Sequence, residues 1–273
     1  MPARLLNGKE LADKIKARLA REVAVLKKKY GRAPTLTVIQ VGGDKSEAIY
    51  INSQGKVAGQ TGINYNPVRF ESSISQDKLI SQIKKLNMDK RTTAIMLGLP
   101  LPKRINLRQA MSYIDPAKNS ETVNPTAAAV MELIRSAGIN LFGREAVVVG
   151  YGELVGKPIA VSLLDKLATV TICHIGTAKR GNLKDHISRA EVLVVAVGKA
   201  NIIKGNWVRR GSIVIDVGIN KVGDKIVGDV EFEAARQRAG FITPVPGGVG
   251  PLTVAMSMRN CVELFKKQMR SRR

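Results

Sequence analysis

The fold is decided by the stretch Ala146-Val147-Val148-Val149-Gly150-Tyr151-Gly152-Glu153-Leu154-Val155-Gly156-Lys157-Pro158. A short apolar run, three glycines and a helix-like segment predict a buried strand that turns sharply into a helix. Free amides and the helix dipole at such a turn favour an anion, which is typical of a dinucleotide site. The spacing is Gly-x-Gly-x-x-x-Gly, not Gly-x-Gly-x-x-Gly, and many ligand-free turns in parallel sheets also carry glycine.

The residues after this stretch repeat the strand-helix pattern. Apolar runs predict further strands at 169–173, 192–197 and 213–217, as expected for parallel strands covered on both faces. Gly198 and Gly218 follow two of these strands, so they are expected to face the same crevice as Gly150. Together they strengthen the prediction of a cofactor site.

Cations follow the strand at 169–173. At this point a dinucleotide fold selects a ribose hydroxyl through Asp or Glu, or a 2′-phosphate through a cation. No acidic residue stands here, whereas Lys179 and Arg180 are both present. Their charge favours NADP over NAD, although an exposed basic loop explains either cation taken alone equally well.

The first half of the chain is also predicted to alternate helices and strands. Amphipathic spacing predicts helices, and β-branched runs predict strands. The predicted helices are 8–29, 46–61, 75–87, 107–114 and 126–137, and the strands are Thr35–Val41, 63–70 and 93–97. Ser73 and Gln76 have the spacing of a capping box before the third helix. A rigid loop of prolines and glycines over 243–253 is predicted to precede a last helix at 254–269.

Composition indicates a soluble globular protein of one or two domains. The chain has 273 residues, of which 44% are hydrophobic, and no apolar run approaches the roughly 20 residues of a membrane helix. The amino terminus lacks the apolar core of a secretory signal, so the expected location is the cytoplasm. The two cysteines, Cys173 and Cys261, and the two histidines lack metal-ligand spacing, so no metal site is expected.

The net charge of +22 arises from 44 Lys and Arg against 22 Asp and Glu. This balance attracts anions such as phosphorylated cofactors. Non-specific nucleic-acid binding is the competing interpretation. Aromatic residues make up only 4% of the chain and do not alternate with the basic runs, so nucleic acid is less favoured than a solvated basic surface.

Several motifs together resemble one family. They are Leu99-Pro100-Leu101-Pro102, the strand and loop 147–158, Val194-Val195-Ala196-Val197-Gly198-Lys199, Val214-Ile215-Asp216-Val217-Gly218-Ile219-Asn220, Val227-Gly228-Asp229-Val230 and the Pro-Val-Pro-Gly-Gly-Val-Gly-Pro loop ending at Pro251. The chain is similar to the bifunctional methylenetetrahydrofolate dehydrogenase/methenyltetrahydrofolate cyclohydrolase family along its whole length. The resemblance implies an α/β fold with a folate-binding domain (1–138 with 252–273), a Rossmann-type NADP-binding domain (139–251), a cleft between them, and a homodimer.

The resemblance also implies roles for individual residues. The catalytic positions are Tyr50 and Gln54. The folate positions are Gly98, Leu99, Pro100, Glu121, Pro246, Gly247 and Gly248. The cofactor positions are Gly150, Tyr151, Gly152, Val155, Ile175 and Ile219. The implied reaction is hydride transfer from 5,10-methylenetetrahydrofolate to NADP⁺, followed by hydrolysis of the methenyl product to 10-formyltetrahydrofolate.

The chain departs from the family pattern on the folate side. Gln54 stands where the family has a catalytic Lys, and Gly98 replaces the Gln that partners it. Lys56 is no substitute, because it lies well round the helix from residue 54. The folate-binding Asp-Val-Asp-Gly segment is replaced by Asn119-Ser120-Glu121-Thr122, and the loop after it is shortened. Glutamine cannot titrate, so the cyclohydrolase is expected to be weak or lost while the hydride step survives.

Two other functions remain open from the sequence. One is a degenerate, non-catalytic member that binds a nucleotide or RNA through its charge. The other is an NADP-dependent enzyme with an altered one-carbon substrate, which the changed folate segment suggests.

Overall fold

The computed structural model describes residues 1–42 and 45–271, and for residues 45–50 it describes the helical backbone only. The helices, in chain order, are α1 (Gly8–Tyr30), α2 (Lys45–Thr61), α3 (Gln76–Met88), α4 (Leu107–Ser112), α5 (Pro125–Ser136), α6 (Gly156–Leu164), α7 (Ile175–Lys179), α8 (Leu183–Arg189), α9 (Phe232–Arg236) and α10 (Val249–Arg270). A short 3-10 helix covers Gly205–Trp207.

The strands are β1 (Arg4–Leu5), β2 (Thr35–Val41), β3 (Asn64–Phe70), β4 (Ala94–Leu97), β5 (Glu145–Val149), β6 (Thr169–Cys173), β7 (Val192–Val195), β8 (Ile213–Asp216), β9 (Asn220–Val222), β10 (Lys225–Val227) and β11 (Phe241–Ile242). The predicted strands before and after the Gly150 turn are confirmed within one or two residues, because their buried apolar runs are unambiguous.

The chain forms two compact units. The six-stranded unit contains Met1–Ala12 and Asn124–Thr253, and the three-stranded unit contains Asp13–Val123 and Val254–Arg273. The division after α4 therefore falls at Asn124, whereas the sequence placed it after residue 138. Helix α5 belongs with the six-stranded unit because it packs on α6 and β8.

In the six-stranded unit all sheet neighbours are parallel and the strand order is β1-β11-β8-β7-β5-β6. Strand β5 has β6 on one side and β7 on the other, so the strand order reverses between β5 and β7. Such a switch point opens a crevice at the carboxyl edge of a parallel sheet. Strands β9 and β10 form a separate antiparallel hairpin.

The three-stranded unit contains a parallel sheet in the order β3-β2-β4. One face is covered by α3 and α4, where Ile39, Leu79, Ile83 and Ile95 are fully buried. The long helix α10 ends in this unit, and its Phe265 ring meets Tyr30 edge to face at 5.9 Å between centroids. Helix α2 packs on β3, and its Gln54 side chain reaches Met96 of β4.

Two local predictions were wrong. Helix α3 is capped by Ser75, whose side chain accepts from the Lys78 amide, and not by the Ser73–Gln76 box. The Gln76 side chain instead bonds a residue far along the chain: its Oε1 accepts from the Asn106 amide at 2.8 Å. Helix α10 begins at Val249, five residues before its predicted start near 254. Pro251 is tolerated because first-turn amides have no intrahelical partner.

No helix among the described residues is long and apolar enough to cross a membrane. Within the same residues no three His, Cys, Asp or Glu side chains are grouped as metal ligands.

Candidate active site

The turn after β5 leaves no room for a side chain at two of its glycines. Gly150 has a φ of 121°, and a Cβ on it would lie 2.2 Å from the carbonyl oxygen of Ala196, which follows β7. A Cβ on Gly156 would lie 2.1 Å from the carbonyl oxygen of Gly150. Glycine is therefore required at both positions, and the start of α6 packs directly on the strand end at the switch point.

No side chain caps the amino terminus of α6. Its N-cap, Val155, offers no side-chain hydrogen bond to the first turn. The Val155 and Lys157 amides both donate to the Gly152 carbonyl, at 3.3 and 3.1 Å, which folds the loop back on itself. A phosphate at this position would meet the positive end of the helix dipole.

Tyr151 occupies the rim of this turn. Its ring is exposed, with Lys157 Nζ 4.2 Å from the ring centroid and the His174 ring at 6.2 Å. Lys157 also pairs with Glu153, and that hydrogen bond raises the pKa of Lys157. The cation therefore stays charged beside the glycine turn.

His174 shapes the neighbouring strand end. Its Nδ1 accepts from the Gly176 amide at 3.1 Å, while the His174 amide donates to Thr177 Oγ1 at 3.2 Å. This reciprocal cap starts α7 and places the proton of the neutral ring on Nε2. Ile175 is left 73% exposed, and Lys179 and Arg180 are exposed at the far end of α7.

The loop of prolines and glycines over 243–253 is held in place through its backbone. The Gly247 carbonyl accepts from the Lys9 amide at 2.9 Å, and a Cβ on Gly8 would lie 1.8 Å from the Gly248 carbonyl oxygen. Gly247 has a φ of 107°, which favours glycine. Pro246 is exposed on this anchored segment. Nearby, Ile219 is 64% exposed and lies next to Gly250, where a Cβ would be 3.6 Å from Ile219 Cδ1.

In the three-stranded unit, Gln54 is completely buried. Its Oε1 accepts from the Tyr65 hydroxyl at 3.2 Å, and its Nε2 donates to Met96 Sδ at 3.2 Å. Lys56, two residues on, is exposed, which confirms that it lies on another side of α2. The side chain of Tyr50 lies outside the described residues.

The end of β4 carries the next predicted positions. Gly98 is buried, and its amide donates to the Ile39 carbonyl at 2.7 Å. Leu99 and Pro100 follow it, are exposed, and are joined by a cis peptide bond. Gly98 itself offers no side chain toward Gln54.

Glu121 lies on a segment that runs beside β4. Asn119 bridges Ile95 in parallel register, and Ser120 Oγ donates to the Ile95 carbonyl at 2.9 Å. The Glu121 side chain is half-buried, and burial raises its pKa to about 7. A carboxyl group that titrates near neutrality is suited to proton transfer.

Asn260 on α10 holds this segment, a role that no motif in the sequence indicates. Its Nδ2 donates to the Ser120 carbonyl at 2.9 Å and to the Val123 carbonyl at 2.6 Å. The contact joins residues about 140 positions apart, so no local pattern could have indicated it.

Comparison with known proteins assigns the family. Residues 6–121 match the family described as tetrahydrofolate dehydrogenase/cyclohydrolase, catalytic domain, and residues 124–269 match the NAD(P)-binding domain of the same family.

The chain belongs to the tetrahydrofolate dehydrogenase/cyclohydrolase family.

Relatives match at full length. The bifunctional protein FolD of Acetivibrio thermocellus is 45% identical, over 98% of this chain and 99% of the relative. The crystal structure of Trypanosoma brucei methylenetetrahydrofolate dehydrogenase-cyclohydrolase (FolD), complexed with NADP and inhibitor, superimposes with a TM-score of 0.94 at 35% identity and covers 99% of both chains. The bifunctional FolD structure from Campylobacter jejuni gives 0.93 at 36% identity, over 97% of this chain and 99% of that one.

The strand-end residues fit a dinucleotide of this family. The backbone at Gly150 and Gly156 leaves no room for a side chain, no side chain caps the first turn of α6, and Ile175 and Ile219 expose apolar side chains. The family's NAD(P)-binding domain covers all of these positions.

Proposed function

We propose that this protein oxidises 5,10-methylenetetrahydrofolate to 5,10-methenyltetrahydrofolate with NADP⁺, as an enzyme of folate one-carbon metabolism. The observation that carries the proposal is the Gly150 turn, where φ and the Ala196 carbonyl forbid a side chain at Gly150 and no side chain caps the helix that follows. Membership of the family supports the folate substrate and the reaction.

The cofactor would be held at the carboxyl edge of the six-stranded sheet. Its pyrophosphate would meet the backbone at Gly150, Tyr151, Gly152 and Val155, and Ile175 would cover the adenosine. Lys179 at the end of α7 and Arg180 directly after it are exposed, and these cations are available to a 2′-phosphate. When bound, NADP⁺ supplies the hydride acceptor.

In the three-stranded unit the folate would contact Tyr50, the backbone of Gly98, and the side chains of Leu99 and Pro100. Glu121 is the carboxylic acid among the proposed folate positions, and burial raises its pKa to about 7. A protonated carboxyl can donate a hydrogen bond to the pterin, and a carboxylate can accept one.

The hydride step needs little from Gln54. Removing hydride from the methylene carbon leaves a cation shared by its two nitrogens, so that step depends on positioning and electrostatics. The Gln54 amide, held by Tyr65 and Met96, would contribute a neutral polar group there.

Hydrolysis of the methenyl product needs a group that can transfer protons. A water must be activated and protons must move, for which a positioned titratable group contributes about 10²–10⁴-fold. Gln54 does not titrate, and Gly98 has no side chain to assist it. We therefore propose that the cyclohydrolase is the weaker activity.

We further propose that the protein acts in the cytoplasm as a homodimer. Strand β6 is the edge of the six-stranded sheet, and the apolar side chains of Phe142, Val161, Leu164 and Leu167 are exposed near it. An exposed edge strand beside an apolar patch favours association with a second copy.

The charge favours a second candidate function, binding of nucleic acid. The three-stranded unit holds 26 Lys and Arg against 10 Asp and Glu, and the six-stranded unit holds 18 against 12. Arg18, Arg21 and Lys28 share one exposed face of α1. The test is anisotropy of a single-stranded RNA across a salt series, where phosphate binding weakens steeply with salt. If replacing all three cations with Gln leaves the affinity for RNA unchanged, α1 is not the RNA-binding surface.

One assay tests the main proposal. Purified protein is supplied with methylenetetrahydrofolate and either NADP⁺ or NAD⁺, and formation of reduced cofactor is followed by absorbance. We expect turnover with NADP⁺. A protein that turns over methylenetetrahydrofolate with neither cofactor, but binds NADP⁺, would point to an altered one-carbon substrate.

A further inference from the structure

Two buried carboxylates in the six-stranded unit lie outside the positions discussed so far. Asp216 ends β8 and is 4% exposed, and Asp229 follows β10 and is completely buried. Neither forms an ion pair with any Lys or Arg that the structure describes. Buried carboxylates without a cation must be satisfied by other donors.

Backbone amides supply those donors for Asp216. Its Oδ1 accepts from the Gly218 and Asp229 amides, both at 3.0 Å, and its Oδ2 accepts from the Val230 amide at 2.9 Å. Asp216 therefore joins the end of β8 to the chain that follows the β9–β10 hairpin. Burial and the neighbouring Asp229 charge raise the pKa of Asp216 to about 6, against the pull of these amides.

Asp229 holds the turn after β7. Its Oδ2 accepts from the Val197 and Gly198 amides at 2.6 and 2.9 Å, and its Oδ1 accepts from the Lys199 amide at 2.9 Å. A fourth donor, Asn220 Nδ2, reaches Oδ1 at 2.9 Å from the far side of Ile219. One carboxylate thus fixes three successive amides after β7 and the residue next to Ile219.

The surrounding backbone is fitted to these two carboxylates. A Cβ on Gly218 would lie 2.2 Å from Asp229 Oδ1, and a Cβ on Gly228 would lie 2.0 Å from Asp216 Oδ2. The chain at both glycines approaches the carboxylates more closely than any other residue allows. The two carboxylates therefore hold the loops after β7 and β8 through direct backbone contacts.

The location of these loops indicates which part of the cofactor they meet. The sheet order places β6 and β5 on one side of the switch point and β7 and β8 on the other. The Gly150 turn follows β5, and Ile175 follows β6. A dinucleotide whose adenosine half is bound at these two strand ends must extend across the ends of β7 and β8. Gly198 and Ile219 stand at those ends.

We infer that Asp216 and Asp229 are positioning residues that set the nicotinamide half of the cofactor site by holding the backbone at Gly198 and Ile219. This inference rests on the proposed NADP-dependent function. Losing Asp229 would leave three amides and the Asn220 side chain without their acceptor, and each buried unsatisfied group is costly. The loops after β7 and β8 would then relax, while the Gly150 turn keeps its own contacts.

The experiment compares a whole cofactor with half of it. Dissociation constants for NADP⁺ and for adenosine 2′,5′-bisphosphate are measured by calorimetry in wild type and in Asp229→Asn, together with kcat and KM for the hydride step. The matched control is Asp224→Asn, which removes an exposed carboxylate from the β9–β10 hairpin with the same change of charge.

In Asp229→Asn we expect binding of the bisphosphate to stay within about twofold of wild type, because its contacts are on the β5 and β6 side. NADP⁺ binding should weaken by roughly tenfold or more, and kcat should fall by a similar factor. A change of this size is expected when one or two buried hydrogen bonds lose their acceptor. Equal weakening of both ligands would show a general structural role and overturn the inference, as would no change in either.

A milder variant keeps the test decisive where Asp229→Asn does not fold. Asn220→Ala removes one donor to Asp229 and exposes no buried charge, and we expect the same selective loss at about threefold. Unchanged NADP⁺ affinity and kcat in this variant would contradict the inference. A wild-type protein that binds the bisphosphate but not NADP⁺, and reduces no cofactor, would instead contradict the proposed function.

Discussion

The Tyr65 hydroxyl on β3 donates a hydrogen bond to Gln54 Oε1 on α2 at 3.2 Å, inside the three-stranded unit. Because Gln54 is completely buried, a lysine introduced there would bring its ammonium group between the Tyr65 oxygen and Met96 Sδ. Burial lowers the pKa of a lysine, which makes it a better proton acceptor near neutrality.

We therefore expect Gln54→Lys to increase hydrolysis of methenyltetrahydrofolate by up to about 10²–10⁴-fold, toward the lower end because Gly98 supplies no partner. The hydride step should change by less than roughly tenfold. Both rates are measured spectrophotometrically, with Gln54→Met as a control of similar length that cannot titrate. Wild-type hydrolysis as fast as the hydride step would contradict this account of the cyclohydrolase.

Glu121 should make stability depend on pH. Burial raises its pKa to about 7 from the value of 4.5 expected when unfolded, so the folded state binds more protons between these values. Stability should therefore fall as pH rises from about 5 to about 7, by at most about 3 kcal/mol in the free energy of unfolding. The half-buried side chain remains partly solvated, so we expect a smaller effect.

The test is the variant Glu121→Gln, compared with wild type by urea unfolding at several pH values. We expect the variant to be more stable than wild type above about pH 7, and its stability to change less across the acidic range. A function in folate binding predicts in addition a higher KM for methylenetetrahydrofolate. Identical pH profiles for the two proteins would show that Glu121 ionises freely in the folded state.

Much of the fold could be predicted from local patterns. Strands β5, β7 and β8 are buried, so their sequences are nearly continuous apolar runs, and α1 is amphipathic from end to end. Strands β1 and β11 were missed because each has two residues and exists only through pairing with a neighbour in the sheet. The early start of α10 was missed because prolines and glycines there resemble a loop.

Only the part of the candidate site that has a local sequence signature could be predicted. The Gly150 turn has a local signature, since glycine is required wherever backbones touch. Asp229 and Asn260 have none, because the amides held by Asp229 lie about 30 residues away and the carbonyls held by Asn260 about 140. Residues that act by satisfying distant backbone groups become visible only in the folded chain.

Substitution of the switch-point glycine should disturb folding and binding together. Gly150→Ala would place a Cβ 2.2 Å from the Ala196 carbonyl oxygen at a φ of 121°. We expect a loss of about 1–3 kcal/mol or more in the free energy of unfolding. The matched variant is Gly152→Ala, whose Cβ would meet nothing within 4 Å.

Gly152→Ala should keep its stability within about 0.5 kcal/mol of wild type. If the pyrophosphate approaches this residue, the added methyl group lowers NADP⁺ affinity without destabilising the protein. Urea unfolding and calorimetric titration separate the two effects. Equal stability of the two variants would show that the backbone at Gly150 yields easily to a side chain.

The exposed cations at the end of α7 should determine whether the protein prefers NADP⁺ or NAD⁺. We expect Lys179→Ala combined with Arg180→Ala to weaken NADP⁺ binding by roughly tenfold or more, since charge-assisted hydrogen bonds to phosphate are lost. NAD⁺ lacks the 2′-phosphate, so its affinity should change by less than about twofold. The control, Lys184→Ala with Arg210→Ala, removes the same charge from exposed positions elsewhere in the unit. Equal effects on both cofactors would assign the 2′-phosphate to other residues.

The apolar patch beside β6 should hold the proposed homodimer together. Val161 and Leu164 are exposed on α6, next to the edge of the six-stranded sheet. Placing Asp at both positions would put charges into an interface that excludes water, so we expect light scattering after size-exclusion chromatography to report a monomer. Val222→Asp, a change at an exposed apolar position on the β9–β10 hairpin, should leave the dimer intact. A wild-type monomer, or a dimer that survives both Asp substitutions, would place this patch outside any interface.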